Sequence, residues 1–276
     1  MRILTPCLIM ACILAWSGMS SAATPSMPVD VIFNEPAEDQ SWESRGWYDY
    51  AQGGNTLPLV ADGAIPSSTS SIQYAWAQSA TTPTNTGGMR KLIPDADNVY
   101  FSFYIKVSSN WVGSGESFHP HIFQFLTNKN GAYTGPNSAP VAIQVELDVF
   151  TLRLSFTNVN NPYGVYSFAD TDMLPDTWHK IETFIRLNTM VGTVGQSDGI
   201  MRGWLDGSLV VDDTDRLIRT GSGNEDMLFN QALIVPYIGS GSPITQTMWI
   251  DDLTIGTEKP NAGGTTPNPP SSFSVN

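Results

Sequence analysis

The chain has 276 residues, of which 13 are Lys or Arg and 26 are Asp or Glu, so its formal net charge is -13. A charge of this sign repels nucleic-acid phosphates and anionic membrane surfaces, so we expect neither as a partner. Only 14% of the residues are charged, which predicts a surface that relies on neutral hydrogen-bonding groups.

The first 23 residues have the composition of a secretory signal peptide. Arg2 gives a positive start, the apolar run ILTPCLIMACILAW follows, and SSAA supplies small residues for cleavage near Ala22 or Ala23. The apolar run is shorter than the roughly 20 residues of a membrane span. We therefore predict a secreted protein, extracellular or periplasmic, without a membrane anchor. Both cysteines, Cys7 and Cys12, lie in this segment, so we expect no disulfide in the mature chain.

Several segments alternate apolar and polar residues with the period of a half-buried strand. The clearest are VYFSFYIKV (99–107), VAIQVELDV (141–149), HKIETFIRL (179–187) and MWIDDLTIG (248–256). The apolar phase slips after residue 149, which predicts a bulge or a turn near Phe150 and Thr151. Asp206 and Gly207 lie between two apolar runs and predict a two-residue hairpin turn.

The pattern predicts an all-β fold, a two-sheet antiparallel β-sandwich. No apolar run keeps helical spacing for more than two turns, and loops rich in Gly, Pro, Ser and Asn separate the strands. We assign the signal peptide to 1–23, the sandwich domain to 29–257 and a Pro/Gly-rich tail or linker to 258–276.

Four segments, in chain order, resemble the concanavalin A-like jelly rolls of legume-type lectins, laminarinase-like glycoside hydrolases and several polysaccharide lyases. They are FNEPAEDQSWESRGWYDY, NVYFSFYIKVS, DTWHKIETFIRLN followed by GIMRGWLDGSLV, and MWIDDLTIG. The resemblance covers nearly all of 30–257 and implies a jelly roll with a polysaccharide or oligosaccharide partner. The stretch 98–128 is also similar to a segment of exported bacterial proteins. Activity stays open, because this superfamily contains enzymes and binders.

Two motifs of the superfamily can be compared residue by residue. Laminarinase-like hydrolases carry Glu, Asp and a second Glu at alternate positions of one strand. The segment ELDVF supplies Glu146 and Asp148, but Phe150 and Thr151 stand where the second Glu belongs, and retaining hydrolysis needs both carboxyl groups. Jelly-roll alginate lyases use a Gln and a His two positions apart, with an Arg and a Tyr. Gln144 and Glu146 have that spacing without the His.

His119 and His121, in HPHIFQF, are the candidate catalytic residues. Two nearby imidazoles suit a β-elimination, as base and neutralising group. They also suit metal binding with Glu146 or Asp148, and packing against neighbouring aromatic rings is the structural alternative. We assign His179, at the start of a strand, to a structural role.

Side chains suited to holding a charged sugar are spread along the predicted strands. Polar residues that alternate with a buried face must point towards solvent, either in a groove or on the convex back of the sandwich. The predicted substrate-binding residues are Arg90, Gln144, Glu146, Asp148, Arg153 and Trp204. Tyr104 is the predicted general acid.

The predicted chemistry requires no cofactor, but the resemblance offers a structural calcium site. Related jelly rolls hold calcium with an aspartate of the last strand and groups near the N-terminus, which corresponds here to Asp251 with Glu35. Hydrogen bonding of Asp251 to loop amides is the favoured alternative.

These residues predict a secreted, carbohydrate-active monomer with three candidate functions. The first is a polysaccharide lyase that cleaves a uronate-containing glycan by β-elimination, although the negative net charge counts against it. The second is a non-catalytic lectin-like or adhesin module, favoured by the Pro-rich tail. The third is a glycoside hydrolase.

Overall fold

The computed structural model describes residues 31–48, 57–84, 88–115, 120–127, 141–158, 161–221 and 223–259. Within them the chain forms strands and one three-residue 3-10 turn, Glu43–Arg45. No helix in this part of the chain is long and apolar enough to cross a membrane. The predicted signal peptide lies outside the described residues, as does the predicted tail beyond residue 259.

The strands form two large antiparallel sheets. The first contains β1 (Val31–Glu35), β3 (Leu59–Val60), β4 (Ser71–Trp76), β6 (Asn98–Val107), β11 (His179–Arg186), β14 (Gly199–Leu205), β15 (Ser208–Arg216) and β17 (Gln246–Gly256). Seven of these eight strands have the order β15-β14-β11-β6-β17-β4-β3, and the eighth, β1, pairs with β17.

The second sheet has seven strands. They are β2 (Trp47–Tyr48), β5 (Met89–Ala96), β7 (His121–Thr127), β8 (Val141–Asp148), β9 (Thr151–Asn158), β10 (Asn161–Asp172) and β16 (Phe229–Tyr237). Their order is β10-β9-β8-β7-β16-β5-β2. A separate pair is formed by β12 (Met190–Val191) and β13 (Val194–Gly195). This architecture confirms the predicted all-β, two-sheet antiparallel sandwich.

Aromatic rings from the facing sheets form much of the core. Phe101 of β6 stacks on Phe123 of β7, and Phe125 of β7 meets Phe101 edge-on. All three rings are at most 1% exposed. Burying each ring contributes about 1.5–3 kcal/mol to the free energy of folding, so this contact holds β7 against the opposite sheet.

Both predicted tight turns are confirmed. Strand β8 ends at Asp148 and β9 begins at Thr151. Val149 in this turn has a φ of 55°, which accounts for the slip in the apolar phase. In the β14–β15 hairpin, Asp206 and Gly207 have φ values of 50° and 83°, as a two-residue turn with left-handed central residues requires.

The prediction that the central strands are half-buried is wrong for β6 and β8. Their inner faces join the core, but outer positions such as Ser102, Gln144 and Glu146 are also at most 8% exposed. The reason is that a central strand is flanked on both sides by side chains of its neighbours, which cover its polar residues. The alternation of apolar and polar residues identifies which side chains lie on the outer face of a strand, but it does not show how exposed those side chains are.

Strand β17 is irregular at its paired aspartates, Asp251 and Asp252. Its register against β6 shifts between Asp251 and Thr254, and Asp252 has a φ of 44°. Asp251 is 1% exposed, and its Oδ2 accepts hydrogen bonds of 2.8 Å from the Ala64 amide and 2.6 Å from the Ser68 hydroxyl. Burial raises the pKa of this carboxyl to about 6, although these hydrogen bonds act against the shift.

The two residues of the predicted calcium site, Glu35 and Asp251, lie on the paired strands β1 and β17, and each carboxylate has its own hydrogen-bond partners. Glu35 accepts a 2.8 Å hydrogen bond from the indole N–H of Trp47 and a 2.7 Å hydrogen bond from Arg45. Asp251 instead binds the loop amide of Ala64. The favoured alternative of hydrogen bonding to a loop amide is therefore confirmed for Asp251.

Candidate active site

Two transverse rows of side chains cross the outer face of the seven-stranded sheet. Directly paired residues on neighbouring strands lie side by side, with about 4.8 Å between strands. The first row contains, from β16 to β10, Tyr237, His121, Glu146, Arg153 and Phe168. The second row contains, from β2 to β9, Tyr48, Arg90, Leu233, Gln124, Gln144 and Ser155.

Glu146 lies at the centre of the first row and is fully buried. Its Oε2 accepts a hydrogen bond from Nε of Arg153, and its Oε1 lies 2.9 Å from Nε2 of His121. Within the described part of the chain, no well-aligned hydrogen bond reaches Oε1. The group that faces this oxygen is the imidazole of His121. An unpaired carboxylate at this depth would cost several kcal/mol, and these two contacts offset that cost.

The pKa of the Glu146 carboxyl reflects the same balance. Burial acts to raise this pKa, but the contacts and charges of His121 and Arg153 outweigh burial and hold it below its ordinary value of 4.5. Glu146 is therefore an anion at neutral pH.

His121 connects the buried part of the first row with the surface. Its side chain is 27% exposed. Its Nδ1 lies 3.5 Å from Nε2 of Gln124, which is long for a hydrogen bond. The ring of Tyr237, a residue 38% exposed, lies on the neighbouring strand with its centroid 6.1 Å from that of His121. One imidazole nitrogen thus has no short contact among the described residues, close to an accessible phenol.

The second row presents amide groups. Oε1 of Gln144 accepts a 3.1 Å hydrogen bond from the Ser155 hydroxyl. Oε1 of Gln124, and Oε1 of Gln231 on β16, have no hydrogen-bond partner among the described residues, although both side chains are at most 1% exposed. A buried acceptor without a partner costs about 1–3 kcal/mol. A ligand that donates hydroxyl groups here would recover that energy.

Two arginines bring positive charge to this face. The guanidinium of Arg90 lies 5.6 Å from the centroid of the Tyr48 ring, and that of Arg153 lies 5.7 Å from the centroid of the Phe168 ring. They occupy opposite sides of the histidine strand β7 in the sheet order. Cations gathered locally can attract an acidic sugar to a protein whose net charge is -13.

The floor of the site is buried and its margins are open. Gln124, Gln144 and Glu146 are at most 8% exposed, whereas Leu92 of β5 and Phe168 of β10 are each 50% exposed. A ligand chain lying across the strands would therefore contact His121 and Tyr237 directly and would reach the glutamine amides from above.

Six of the predicted site residues lie on this one face: Arg90, His121, Gln144, Glu146, Asp148 and Arg153. Asp148 is half-buried at the end of β8, where it pairs with Thr151. Both carboxylate oxygens of Glu146 face side chains of the protein, Arg153 at Oε2 and His121 at Oε1. Its predicted contact with substrate stays a prediction.

Tyr104 and Trp204 belong to the opposite sheet. Tyr104, on β6, is 4% exposed and packs against Trp178. Trp204, on β14, has the Lys259 ammonium 4.3 Å from its ring centroid. The predictions of Tyr104 as the acid partner of His121 and of Trp204 as a binding platform in the same site are therefore wrong, because the core separates them from β7.

His119 lies outside the described residues. Four residues of the site were not predicted from the sequence: Tyr48, Gln124, Gln231 and Tyr237. Gln124 and Gln231 each interrupt an apolar strand with an amide, a signal that alternation could have revealed. Tyr237 ends its strand and carries no such local signal, because its partner His121 is more than a hundred residues away in the chain.

The residues that the structure describes contain no group of three or more His, Cys, Asp or Glu side chains arranged to hold a metal ion. The alternative in which the histidines bind metal with Glu146 also conflicts with the donor set, since Arg153 already occupies one oxygen of that carboxylate.

The structure is a two-sheet sandwich whose seven-stranded sheet carries a histidine–carboxylate pair and two arginines on one face. The family model for polysaccharide lyases matches residues 80–254, more than half of the chain. The chain belongs to the polysaccharide lyase family. Comparison with curated proteins gives no match.

Solved structures share the fold at low sequence identity. The alginate lyase of Aplysia kurodai is 13% identical, with a TM-score of 0.57 over 83% of this chain and 99% of that one. An alginate lyase from Chlorella virus is 14% identical, with a TM-score of 0.55 over 74% and 90%. The endo-β-1,4-glucuronan lyase of Trichoderma reesei is 17% identical, with a TM-score of 0.52 over 83% and 96%. Identities this low establish the fold alone.

Proposed function

We propose that this protein is an exported lyase that cleaves a uronate-containing polysaccharide by β-elimination. The observation that carries the proposal is the first row, which places His121 between Tyr237 and the Glu146–Arg153 pair on one sheet face. Membership of the polysaccharide lyase family supports the reaction class. The alginate and glucuronan lyases of the same fold act on polymers of uronic acids, which supports the substrate class.

His121 supplies the base of the proposed reaction. Its Nδ1 removes the proton at C5 of the uronate, next to the carboxyl group, and the electron pair moves into the carboxylate. The electron pair then returns from the carboxylate to form the C4–C5 double bond, and the C4–O4 bond breaks. Tyr237 donates its phenolic proton to O4, which leaves as a hydroxyl group. Water and proton exchange then restore the Tyr237 hydroxyl and the neutral imidazole.

The second row and the arginines bind the sugar. Arg90 and Arg153 supply positive charge near the substrate carboxylate, where charge increases in the transition state. Gln144 donates amide hydrogens to the same carboxylate. The carbonyl oxygens of Gln124 and Gln231 accept hydrogen bonds from sugar hydroxyls, which fixes the register of the chain across the strands.

A glycoside hydrolase fits this site less well. Hydrolysis requires a carboxylic acid whose pKa is raised, so that it holds a proton for the leaving group. Although burial acts to raise the pKa of Glu146, the contacts with His121 and Arg153 lower it. Glu146 therefore cannot serve as that acid.

The test is to incubate the full chain with polymannuronate, polyguluronate, polyglucuronate and a neutral glucan, and to follow two signals. A lyase gives both ultraviolet absorbance from the unsaturated product and new reducing ends, on a polyuronate but not on the glucan. Reducing ends without ultraviolet absorbance would replace the proposal with hydrolysis. Retention on an immobilised polyuronate without either signal would replace it with binding alone.

A further inference from the structure

The buried Glu146 has a geometry that substrate binding does not explain. Its two oxygens face two different partners, Arg153 at Oε2 and His121 at Oε1, and its side chain has no exposed surface. Burying a carboxylate is costly, and an apolar residue would fill the same volume without that cost. We therefore expect Glu146 to act through one of its two partners, His121 or Arg153.

Contact with Glu146 decides which nitrogen of His121 holds a proton. A carboxylate is an acceptor only, so the 2.9 Å distance between Nε2 and Oε1 favours a proton on Nε2 of the neutral ring, although the contact is not a well-aligned hydrogen bond. That leaves Nδ1 as the basic nitrogen. Nδ1 lies 3.5 Å from the amide nitrogen of Gln124, a long contact that a substrate can displace.

Arg153 fixes the carboxylate itself. Its Nε donates to Oε2, and its guanidinium lies 5.7 Å from the Phe168 ring centroid. With one oxygen held in this way, the carboxylate cannot rotate away from His121. Among the described residues, the titratable partners of His121 on its two neighbouring strands are Glu146 on β8, with Arg153 behind it, and Tyr237 on β16.

We propose that Glu146 is a positioning residue that holds His121 in the Nε2–H tautomer, so that Nδ1 is the base, and that Arg153 orients Glu146 for this purpose. The proposal rests on the proposed lyase function for its kinetic consequence. The assignment of the tautomer stands on geometry alone and can be tested separately.

The main test is Glu146→Gln in the full chain, because glutamine keeps the shape of the side chain and removes its charge. We expect kcat on a cleaved polyuronate to fall by about 10²–10⁴-fold with little change in KM. Imidazole ¹⁵N NMR should show His121 with a protonated Nε2 in the parent chain and a mixture of tautomers in the variant. Signals are assigned by their loss in His121→Ala and His179→Ala.

The matched control is the second histidine–carboxylate pair, in which His179 Nδ1 lies 2.7 Å from Asp206 Oδ2 at the end of the other sheet. Asp206→Asn removes a carboxylate from that pair and should leave kcat unchanged. If Glu146→Gln does not fold, the double variant Glu146→Gln with Arg153→Met removes both charges together and takes its place in the NMR measurement. Its kcat is not used, because Arg153 is also assigned to substrate binding.

Two results would overturn the inference. One is a kcat for Glu146→Gln close to that of the parent chain while His121→Ala is inactive. The other is a parent chain in which Nδ1 of His121 carries the proton. If the parent chain cleaves no polyuronate, the proposed function fails, but the NMR measurement still decides whether Glu146 sets the tautomer.

Discussion

The part of the chain that the structure describes contains two histidine–carboxylate pairs, one on each sheet, and they differ in which partner is buried. In the His121–Glu146 pair the carboxylate is fully buried and the imidazole is 27% exposed. In the His179–Asp206 pair the imidazole side chain is 9% exposed and the carboxylate 43% exposed. The contact distances, 2.9 Å and 2.7 Å, are similar.

The second difference is the state of the remaining ring nitrogen. Nε2 of His179 lies 3.0 Å from the backbone nitrogen of Leu174 and 3.1 Å from its carbonyl oxygen, so both nitrogens of this ring are engaged by the protein. Among the described residues, Nδ1 of His121 has only the 3.5 Å contact with Gln124. An imidazole with partners at both nitrogens links two segments of the protein. An imidazole with one weakly held nitrogen near the surface can exchange protons with a ligand.

The largest expected effect separates the two histidines by activity. His121→Ala should lower kcat on a polyuronate by about 10²–10⁴-fold, because it removes the base. The melting temperature should change little, since the side chain is partly exposed. Product absorbance and a thermal melt on the same preparation check both statements. Retained turnover would show that the two pairs do not differ in the proposed way.

The next largest effect is on stability and leaves activity unchanged. His179→Ala should reduce the free energy of unfolding by about 1–3 kcal/mol, because Leu174 and Asp206 lose a buried hydrogen-bond partner. Activity per folded molecule should persist. Urea unfolding measures the first quantity and initial rates at a known folded fraction measure the second. Lost turnover in a folded variant would contradict the structural assignment of this histidine.

A smaller effect appears in the pH dependence of stability. Burial acts to raise the pKa of Asp206, but hydrogen bonds from His179 and the Lys180 amide lower it below 3.8. A carboxyl whose pKa is lower in the folded state adds stability above its unfolded pKa and loses it as the pH falls through the folded pKa. Asp206→Asn should therefore lose less stability than the parent chain on acidification.

The measurement is urea unfolding of both chains at a series of pH values from about 5 down to about 3. The gap between their free energies of unfolding should narrow as the pH falls. A constant gap over this range would show that the ionised form of Asp206 contributes nothing to the pair with His179.

The smallest expected effect concerns the outer face of the eight-stranded sheet. Tyr104→Phe should leave kcat and KM largely unchanged, because this phenol lies beyond the core from His121. Tyr237→Phe, on the neighbouring strand of His121, is the paired variant and should lower kcat. If instead the Tyr104 variant alone were inactive, the face that carries His121 and Glu146 would not be the active site.

Local sequence determined the strands and turns of this protein because their signals are short-range. Alternation over 99–107 and 141–149 reflects side chains that point to opposite faces of one strand. The left-handed turn at Asp206 and Gly207 depends on two adjacent residues. The same alternation placed Gln144, Glu146 and Asp148 on one face, since alternate positions on one strand share a face in any fold.

Tertiary structure alone decided which residues on different strands become neighbours. Tyr104 and Tyr237 both lie on strands, and nothing within either segment tells which one reaches His121. That choice depends on the order of strands in the sheets, which puts β16 beside β7 and β6 in the opposite layer. The role of Glu146 was decided in the same way, because its burial and its two partners come from β7 and β9, whose side chains enclose it only when the sheet has formed.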